Sequence, residues 1–104
     1  MKTEPSQTLW ERRDRLHIMK EIMETSKGGQ LKTRIMYIVN LSYTQVNEYL
    51  SYLTERGFLN VQVKNGKTFY KTTAKGNIYI ENYRELSNLL NNQDPVVESS
   101  ILEQ

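Results

Sequence analysis

One stretch, Ser42–Gly57, constrains this chain more than any other, because both of its ends are marked. Ser42 presents a side-chain oxygen to the free N–H groups of a helix start, and Gln45 follows three residues later, the spacing of a capping box. Gly57 follows the last periodic residue, where a left-handed conformation is favoured. Between these ends Val46, Tyr49, Leu50 and Leu53 recur at helical spacing and form one apolar stripe. The opposite face holds Tyr43, Thr44, Gln45, Asn47, Glu48 and Ser51, rich in hydrogen-bonding groups and carrying a single charge. A merely solvated face more often carries Lys and Glu, so this polar face calls for an explanation.

The rest of the chain must fit around that helix with limited apolar material. It has 104 residues, of which 38% are hydrophobic, enough for one domain or one domain plus an extension. The absence of cysteine excludes disulfide and Cys-based metal frameworks and is consistent with a reducing compartment. His17 is the lone histidine and cannot build a His-based metal site. No apolar run approaches the ~20 residues of a membrane span, and Met1–Trp10 lacks the apolar segment of a signal peptide. The expected location is the cytoplasm, in association with the nucleoid, with no membrane partner. Charge is divided along the chain: residues 1–75 carry 13 Lys/Arg against 7 Asp/Glu, whereas residues 76–104 carry Arg84 against Glu81, Glu85, Asp94, Glu98 and Glu103. A basic module followed by an acidic helix suggests a polyanion-binding part and a part with another task.

In chain order, residues 1–9 are polar with Pro5 and read as a disordered tail. Trp10–Ser26 reads as a first helix, with Leu16, Met19, Ile22 and Met23 on its stripe and Lys27-Gly28-Gly29 ending it. Gln30-Leu31 is placed as a short edge strand. Lys32 or Thr33 to Val39 reads as a second, short helix with Ile35, Met36, Ile38 and Val39 apolar and Thr33 as candidate cap. Asn40-Leu41 then breaks the chain tightly before Ser42. Two helices joined this way form a helix-turn-helix, whose second helix enters the DNA major groove with its N-terminal residues on base edges. After Gly57 the period changes to alternation, with Leu59, Val61 and Val63 on one face. Lys64-Asn65-Gly66-Lys67 is a hairpin turn, and Thr68–Thr72 returns as a strand. A hairpin directly after such a helix is a wing. Thr72 or Thr73 caps a last helix from Ala74 to about Asn91, in which Tyr79, Tyr83, Leu86 and Leu90 follow a heptad seam, with Ile80 and Leu89 beside it. Residues 93–104 read as a disordered acidic tail. The fold class is therefore mainly α with a small β-hairpin (α+β): a winged helix-turn-helix domain at 10–73 and a long dimerisation helix at 74–92.

Several strings sharpen this order: Arg13-Asp14-Arg15-Leu16-His17-Ile18-Met19, Gly29–Tyr37, Asn40-Leu41-Ser42-Tyr43-Thr44-Gln45, Tyr49–Leu53 with Gly57-Phe58-Leu59, and Thr72-Thr73-Ala74-Lys75-Gly76. Together they resemble the archaeal winged-helix DNA-binding proteins related to the small Sulfolobus chromatin-type protein, over about residues 12–92. The resemblance implies DNA binding and last helices paired as an antiparallel coiled coil. This chain departs from the family at that last helix, where the seam is only about two heptads long and contains Tyr79 and Tyr83.

Catalysis finds no footing here: there is no cysteine, one histidine, no carboxylate pair in a recognisable frame and no Gly-rich phosphate loop. No enzyme activity, cofactor, metal or small-molecule ligand is expected. The expected partners are double-stranded DNA and a second copy of the chain. Candidate phosphate ligands are Lys32, Thr33 and Arg34, then Ser42 and Tyr43, then Lys64 and Lys67 on the wing. Candidate base readers are Thr44, Gln45, Asn47, Glu48 and Ser51, since Gln and Asn pair with adenine and Glu accepts from cytosine. Plainer roles compete: capping alone for Gln45, an ion pair to a neighbouring helix for Glu48, packing for Tyr43 and Tyr52, and turn chemistry for the wing lysines. Arg12, Arg13 and Arg15 read as a solvated face and His17 as structural. Candidate dimerisation residues are Tyr79, Tyr83, Leu86 and Leu90, which compete with a fold-back onto the same domain. The function expected is homodimeric double-stranded DNA binding as a transcriptional regulator, with helix 42–56 in the major groove and wing 64–67 on the backbone. The alternatives are a nonspecific chromatin organiser or a winged-helix protein–protein adaptor.

Overall fold

Two short left-handed stops shape the middle of the molecule. In the computed structural model, which describes residues 5–91 and the side chains of residues 15–91, the order is α1 (Pro5–Thr25), β1 (Gln30–Leu31), α2 (Lys32–Val39), α3 (Tyr43–Glu55), β2 (Leu59–Lys64), β3 (Lys67–Thr72) and α4 (Ala74–Asn91). Asn40 ends α2 at φ 63°, with Asn40 N–H donating to the Tyr37 carbonyl and Leu41 N–H to that of Met36 at 2.9 Å. Gly57 ends α3 the same way at φ 83°, with Phe58 N–H donating to Leu53 O at 2.9 Å and Gly57 N–H to Thr54 O at 3.1 Å. Both are Schellman motifs, which satisfy the last helical carbonyls while turning the chain sharply. The first puts α3 hard against α2; the second sends the chain directly into the wing.

The start of α3 is a complete capping box. The Ser42 side chain accepts from Gln45 N–H at 3.1 Å, and Gln45 Oε1 accepts from Ser42 N–H at 2.9 Å. The wing turn has Asn65 at φ 52° and Gly66 at φ 76°, between paired Lys64 and Lys67, as a two-residue turn with both centres left-handed requires. The sheet is antiparallel in the order β1-β3-β2, with Leu31 opposite Phe69 and Val61 opposite Tyr70.

The core takes residues from nearly every element: Ile22 and Met23 of α1, Ile35 and Val39 of α2, Val46, Leu50 and Leu53 of α3, Leu59 of β2 and Ile80 of α4. Its floor is a junction of polar backbone. Thr72 is buried and its hydroxyl donates to the Met23 carbonyl, while Thr73 Oγ1 donates to Gly57 O at 2.6 Å and accepts from Gly76 N–H at 3.1 Å. Thr73, not Thr72, is thus the cap of α4.

Four expectations change. First, α1 begins at Pro5, so it includes five residues of the expected tail; proline suits a first helical turn, where its missing N–H is not needed. Residues 1–4 and the tail at 93–104 lie outside the described residues. Second, Thr33 does not cap α2. Leu31 holds that position without a side-chain bond, because its pairing with Phe69 runs the strand straight into the helix. Third, the apolar face of β2 is buried only at Leu59; Val61 and Val63 extend past the core into solvent. Fourth, Ile35 and Val39 of α2 are buried and Met36 packs half-buried against the core, while Ile38 is half exposed.

Candidate nucleic-acid interface

The exposed face of α3 and the start of α2 meet at one small cluster. Lys32 opens α2, and its Nζ donates to Asn47 Oδ1 at 2.8 Å. The same ammonium stands 4.8 Å from the centre of the Tyr43 ring, within cation–π range. Hydrogen bonding to Asn47 and then the Lys32 charge hold the exposed Tyr43 hydroxyl below the usual tyrosine range. Lys32, Tyr43 and Asn47 therefore act as one unit: a cation presented beside the first turn of α3, with its direction fixed from two sides. Thr33 and Arg34 lie exposed on the following positions of α2.

Around this unit the predicted residues divide into three groups. Ser42, Tyr43, Thr44 and Gln45 occupy the exposed first turn of α3, where free N–H groups and the helix dipole favour anions. Of these, Ser42 and the Gln45 carbonyl oxygen already serve the capping box, so the plainer role for Gln45 is present in the structure. Ser51 lies exposed farther along the helix. Glu48 lines a cleft between α1 and α3 together with Gln45, Arg15, Leu16, Met19, Tyr49 and Tyr52. The ion pair considered for it is not made among the described residues. Lys64 and Lys67 face each other across the wing turn, both exposed.

Other cations are spent within the fold. Lys75 Nζ donates to the Arg56 carbonyl at 2.7 Å, closing the C-terminal end of α3, and lies 4.7 Å from the Phe58 ring centre. Arg56 lies over the Tyr52 ring at 4.2 Å. This packing is the plainer of the two roles for Tyr52.

The predicted dimer seam separates into two environments. Tyr79 packs on the core, edge-on to Phe58 at 5.6 Å between ring centres, and its hydroxyl donates to Leu16 O at 2.7 Å. Tyr83 reaches His17 Nδ1 at 3.2 Å, with His17 Nε2 on Glu21 at 3.1 Å. Both tyrosines thus contact α1 of their own domain. Leu86 and Leu90 instead stay 49% and 68% exposed. The lone histidine joins α1 to α4, a structural role. The sequence did not single out Tyr37, which is 83% exposed on α2, nor the wing residues Val61 and Tyr70 that face α3. The alternation in β2 and β3 was the available signal for the latter. Arg12 and Arg13 lie outside the residues whose side chains are described. Among the described residues no group of three His, Cys, Asp or Glu could hold a metal, and no helix is long and apolar enough to cross a membrane.

Comparison with known proteins agrees with this architecture. The winged helix-turn-helix family matches residues 12–91. The uncharacterized protein MJ0287 of Methanocaldococcus jannaschii is 33% identical over 78 residues, which span 75% of this chain and 70% of that protein. Among solved structures, Sso10a-2, a DNA-binding protein from Sulfolobus solfataricus, superposes with a TM-score of 0.66 at 24% identity, over 85% of this chain and 92% of the other. The PcaV transcriptional regulator from Streptomyces coelicolor superposes with a TM-score of 0.59 at 14% identity, over 96% and 86% of the two chains. Identities this low speak to a shared fold. With the family matched across most of its length, from the later part of α1 to the end of α4, the chain belongs to the winged helix-turn-helix proteins.

Proposed function

We propose that the protein binds double-stranded DNA as a homodimer and acts as a transcriptional regulator, without catalysis. The observation that carries this reading is the first turn of α3: it is exposed, has a complete cap, and is flanked by the Lys32 ammonium held at Asn47. Lys32, Thr33, Arg34, Ser42 and Tyr43 would hold phosphates on one side and Lys64 and Lys67 on the other. Thr44, Gln45, Asn47 and Ser51 would face bases, with Glu48 at the margin. The fold it shares with a DNA-binding protein and a transcriptional regulator supports the assignment. In this reading residues 10–73 form the DNA-binding domain, α4 supplies the dimer contact through Leu86 and Leu90, and the site of action is the nucleoid.

A second reading, sequence-independent DNA organisation, is favoured by one observation. Gln45 Oε1 and Asn47 Oδ1 already accept hydrogen bonds within the protein, which leaves fewer free groups for base edges. A mobility-shift titration at two salt concentrations tests both readings. Binding to duplex DNA that weakens steeply with salt is expected. No binding even at low salt overturns the DNA reading and leaves the protein–protein adaptor. Competition by random duplex as strong as by a selected site excludes the specific regulator. The double variant Lys64→Ala, Lys67→Ala is expected to weaken binding to all sequences alike and to lower the salt slope by about 0.9 for each phosphate that is no longer neutralised. An effect confined to one sequence contradicts the phosphate role.

A further inference from the structure

The tip of the wing carries a reactive pair that neither the core nor the DNA contacts above use. Of the asparagines in the chain, only Asn65 is followed by glycine. That order matters chemically. The backbone nitrogen after an asparagine can attack the side-chain carbonyl carbon and close a succinimide ring. A side chain on the following residue hinders that approach, and glycine has none. Asn65 and Gly66 are both exposed, in the turn between β2 and β3. Apart from its chain neighbours, no heavy atom lies within 4 Å of the place a Cβ on Gly66 would take.

Two non-glycine residues have positive φ among the described residues, Asn40 at 63° and Asn65 at 52°, and they differ in what holds them. After Asn40 the attacking nitrogen would be that of Leu41, whose N–H donates to Met36 O at 2.9 Å and whose side chain packs against the core. After Asn65 it is that of Gly66. Neither the Asn65 carboxamide nor the Gly66 N–H has a hydrogen-bond partner among the described residues. Ring closure requires the turn to open. Only the terminal pair Lys64 and Lys67 closes it, and the end of an exposed hairpin opens at small cost.

We propose that Asn65-Gly66 is a self-modification site whose deamidation weakens the hold of the wing on DNA. The Gly66 nitrogen bonds to Asn65 Cγ, and the side-chain nitrogen leaves as ammonia. Water then opens the succinimide, at one carbonyl to aspartate and at the other to isoaspartate. Water is the only co-reactant, and nothing is oxidised or reduced. Aspartate keeps the turn, since Asp-Gly suits the same two-residue hairpin. It sets a carboxylate between Lys64 and Lys67 and offsets one of their charges. Isoaspartate carries the same charge and also lengthens the main chain by one atom, which disturbs the pairing of Lys64 with Lys67. The consequence for DNA rests on the DNA-binding reading; the chemistry at the turn does not.

The experiment holds the freshly purified full chain at mildly alkaline pH, where the Gly66 amide loses its proton more readily. Samples are taken over time for intact mass, peptide mapping and titration with duplex DNA at several salt concentrations. Exchange of amide for acid is expected to be faster at Asn65 than at every other asparagine, and affinity is expected to fall in step with the modified fraction. Asn65→Asp should bind several-fold more weakly at low salt, with a salt slope lower by about 0.9 as one phosphate contact is offset. Asn65→Gly also suits the turn and has no side chain to close a ring. It should keep its starting affinity through the same incubation. An Asn65 that stays intact in the folded chain and reacts only in denaturant overturns the proposal, because the turn then protects it. Loss of affinity in Asn65→Gly at the native rate also overturns it. Modification at unchanged affinity overturns the effect on the wing while leaving DNA binding intact. A fresh chain that binds no duplex removes the DNA-binding reading instead, and the mass data still decide the chemistry at Asn65.

Discussion

The two halves of α4 share one apolar spacing and have opposite surroundings. In the first half Gly76 is buried so closely that a Cβ there would lie 2.5 Å from Thr72 Cγ2 and 2.6 Å from the Phe58 carbonyl. One turn on, Ile80 is 1% exposed and Tyr79 packs on the core. In the second half Leu86, Leu89 and Leu90 are 49%, 67% and 68% exposed. The Tyr83–His17 contact at 3.2 Å and the Arg84–Glu24 pair at 3.1 Å tie the start of this half to α1, but an exposed ion pair contributes at most about 1 kcal/mol. The contrast teaches that an apolar stripe specifies a face without specifying what covers it. The first half belongs to the domain's own core, and the second half is apolar surface that the dimer proposal would use.

If that division is right, substitutions in the first half act on folding. Ile80→Ala should have the largest effect, about 2–5 kcal/mol of lost stability, since it opens a cavity at the centre of the core. Gly76→Ala should follow at about 1–3 kcal/mol, because both clashing neighbours are held in place: Phe58 O accepts from Thr73 N–H and the Thr72 hydroxyl is bonded to Met23 O. The ~1 kcal/mol that alanine gains over glycine in a helix acts against this and is the smaller term. Chemical denaturation checks both. A Gly76→Ala protein as stable as the native one would mean that α4 can shift on its seat, and the contrast between the halves would soften.

Tyr79 sharpens the comparison through pH. Burial first, then the neighbouring Tyr83, Tyr52 and Tyr49 hydroxyls, push its pKa well above the usual tyrosine range. Between the ordinary value near 10 and this raised value, the folded chain keeps a proton that the unfolded chain has released. Folded protein then binds more protons than unfolded, so stability falls as pH rises above about 10. Tyr79→Phe should remove this part of the alkaline slope while giving up the hydrogen bond to Leu16 O, a loss of about 1 kcal/mol at neutral pH. Denaturation of both proteins at neutral and alkaline pH separates the two effects. Equal slopes would show that the ring is not held against the core.

Much of the fold is legible in the sequence because local chemistry fixes it. Ser42, Gln45 and Gly57 set the ends of α3, and Asn65-Gly66 sets the wing turn, each through bonds or dihedral preferences spanning a few residues. What is not legible depends on distant parts of the chain. Lys32 meets Asn47 across fifteen residues, which occupies a predicted phosphate ligand and a predicted base reader with one another. Thr33 loses its capping role because strand pairing with Phe69 places Leu31 there instead. In the eight-residue α2, periodicity alone does not decide that Ile35 and Val39 are buried and Ile38 exposed. Likewise, nothing local distinguishes Tyr79 from Leu86.

The smallest effect on the domain itself is expected at Leu86, and it is also the sharpest test of the contrast. The side chain is 49% exposed, so Leu86→Asp should change the stability of the isolated domain by no more than about 0.5 kcal/mol. In a dimer the same change buries a carboxylate at the seam without a partner and opposes association. A dimer couples folding to concentration, so the native melting temperature should rise as protein is added, whereas that of the variant should stay fixed. Light scattering should give a dimer for the native chain and a monomer for Leu86→Asp. An unchanged mass would move the dimer contact elsewhere on the molecule. A fall in stability as large as that of Ile80→Ala would mean that the second half of α4 is as much a part of the core as the first.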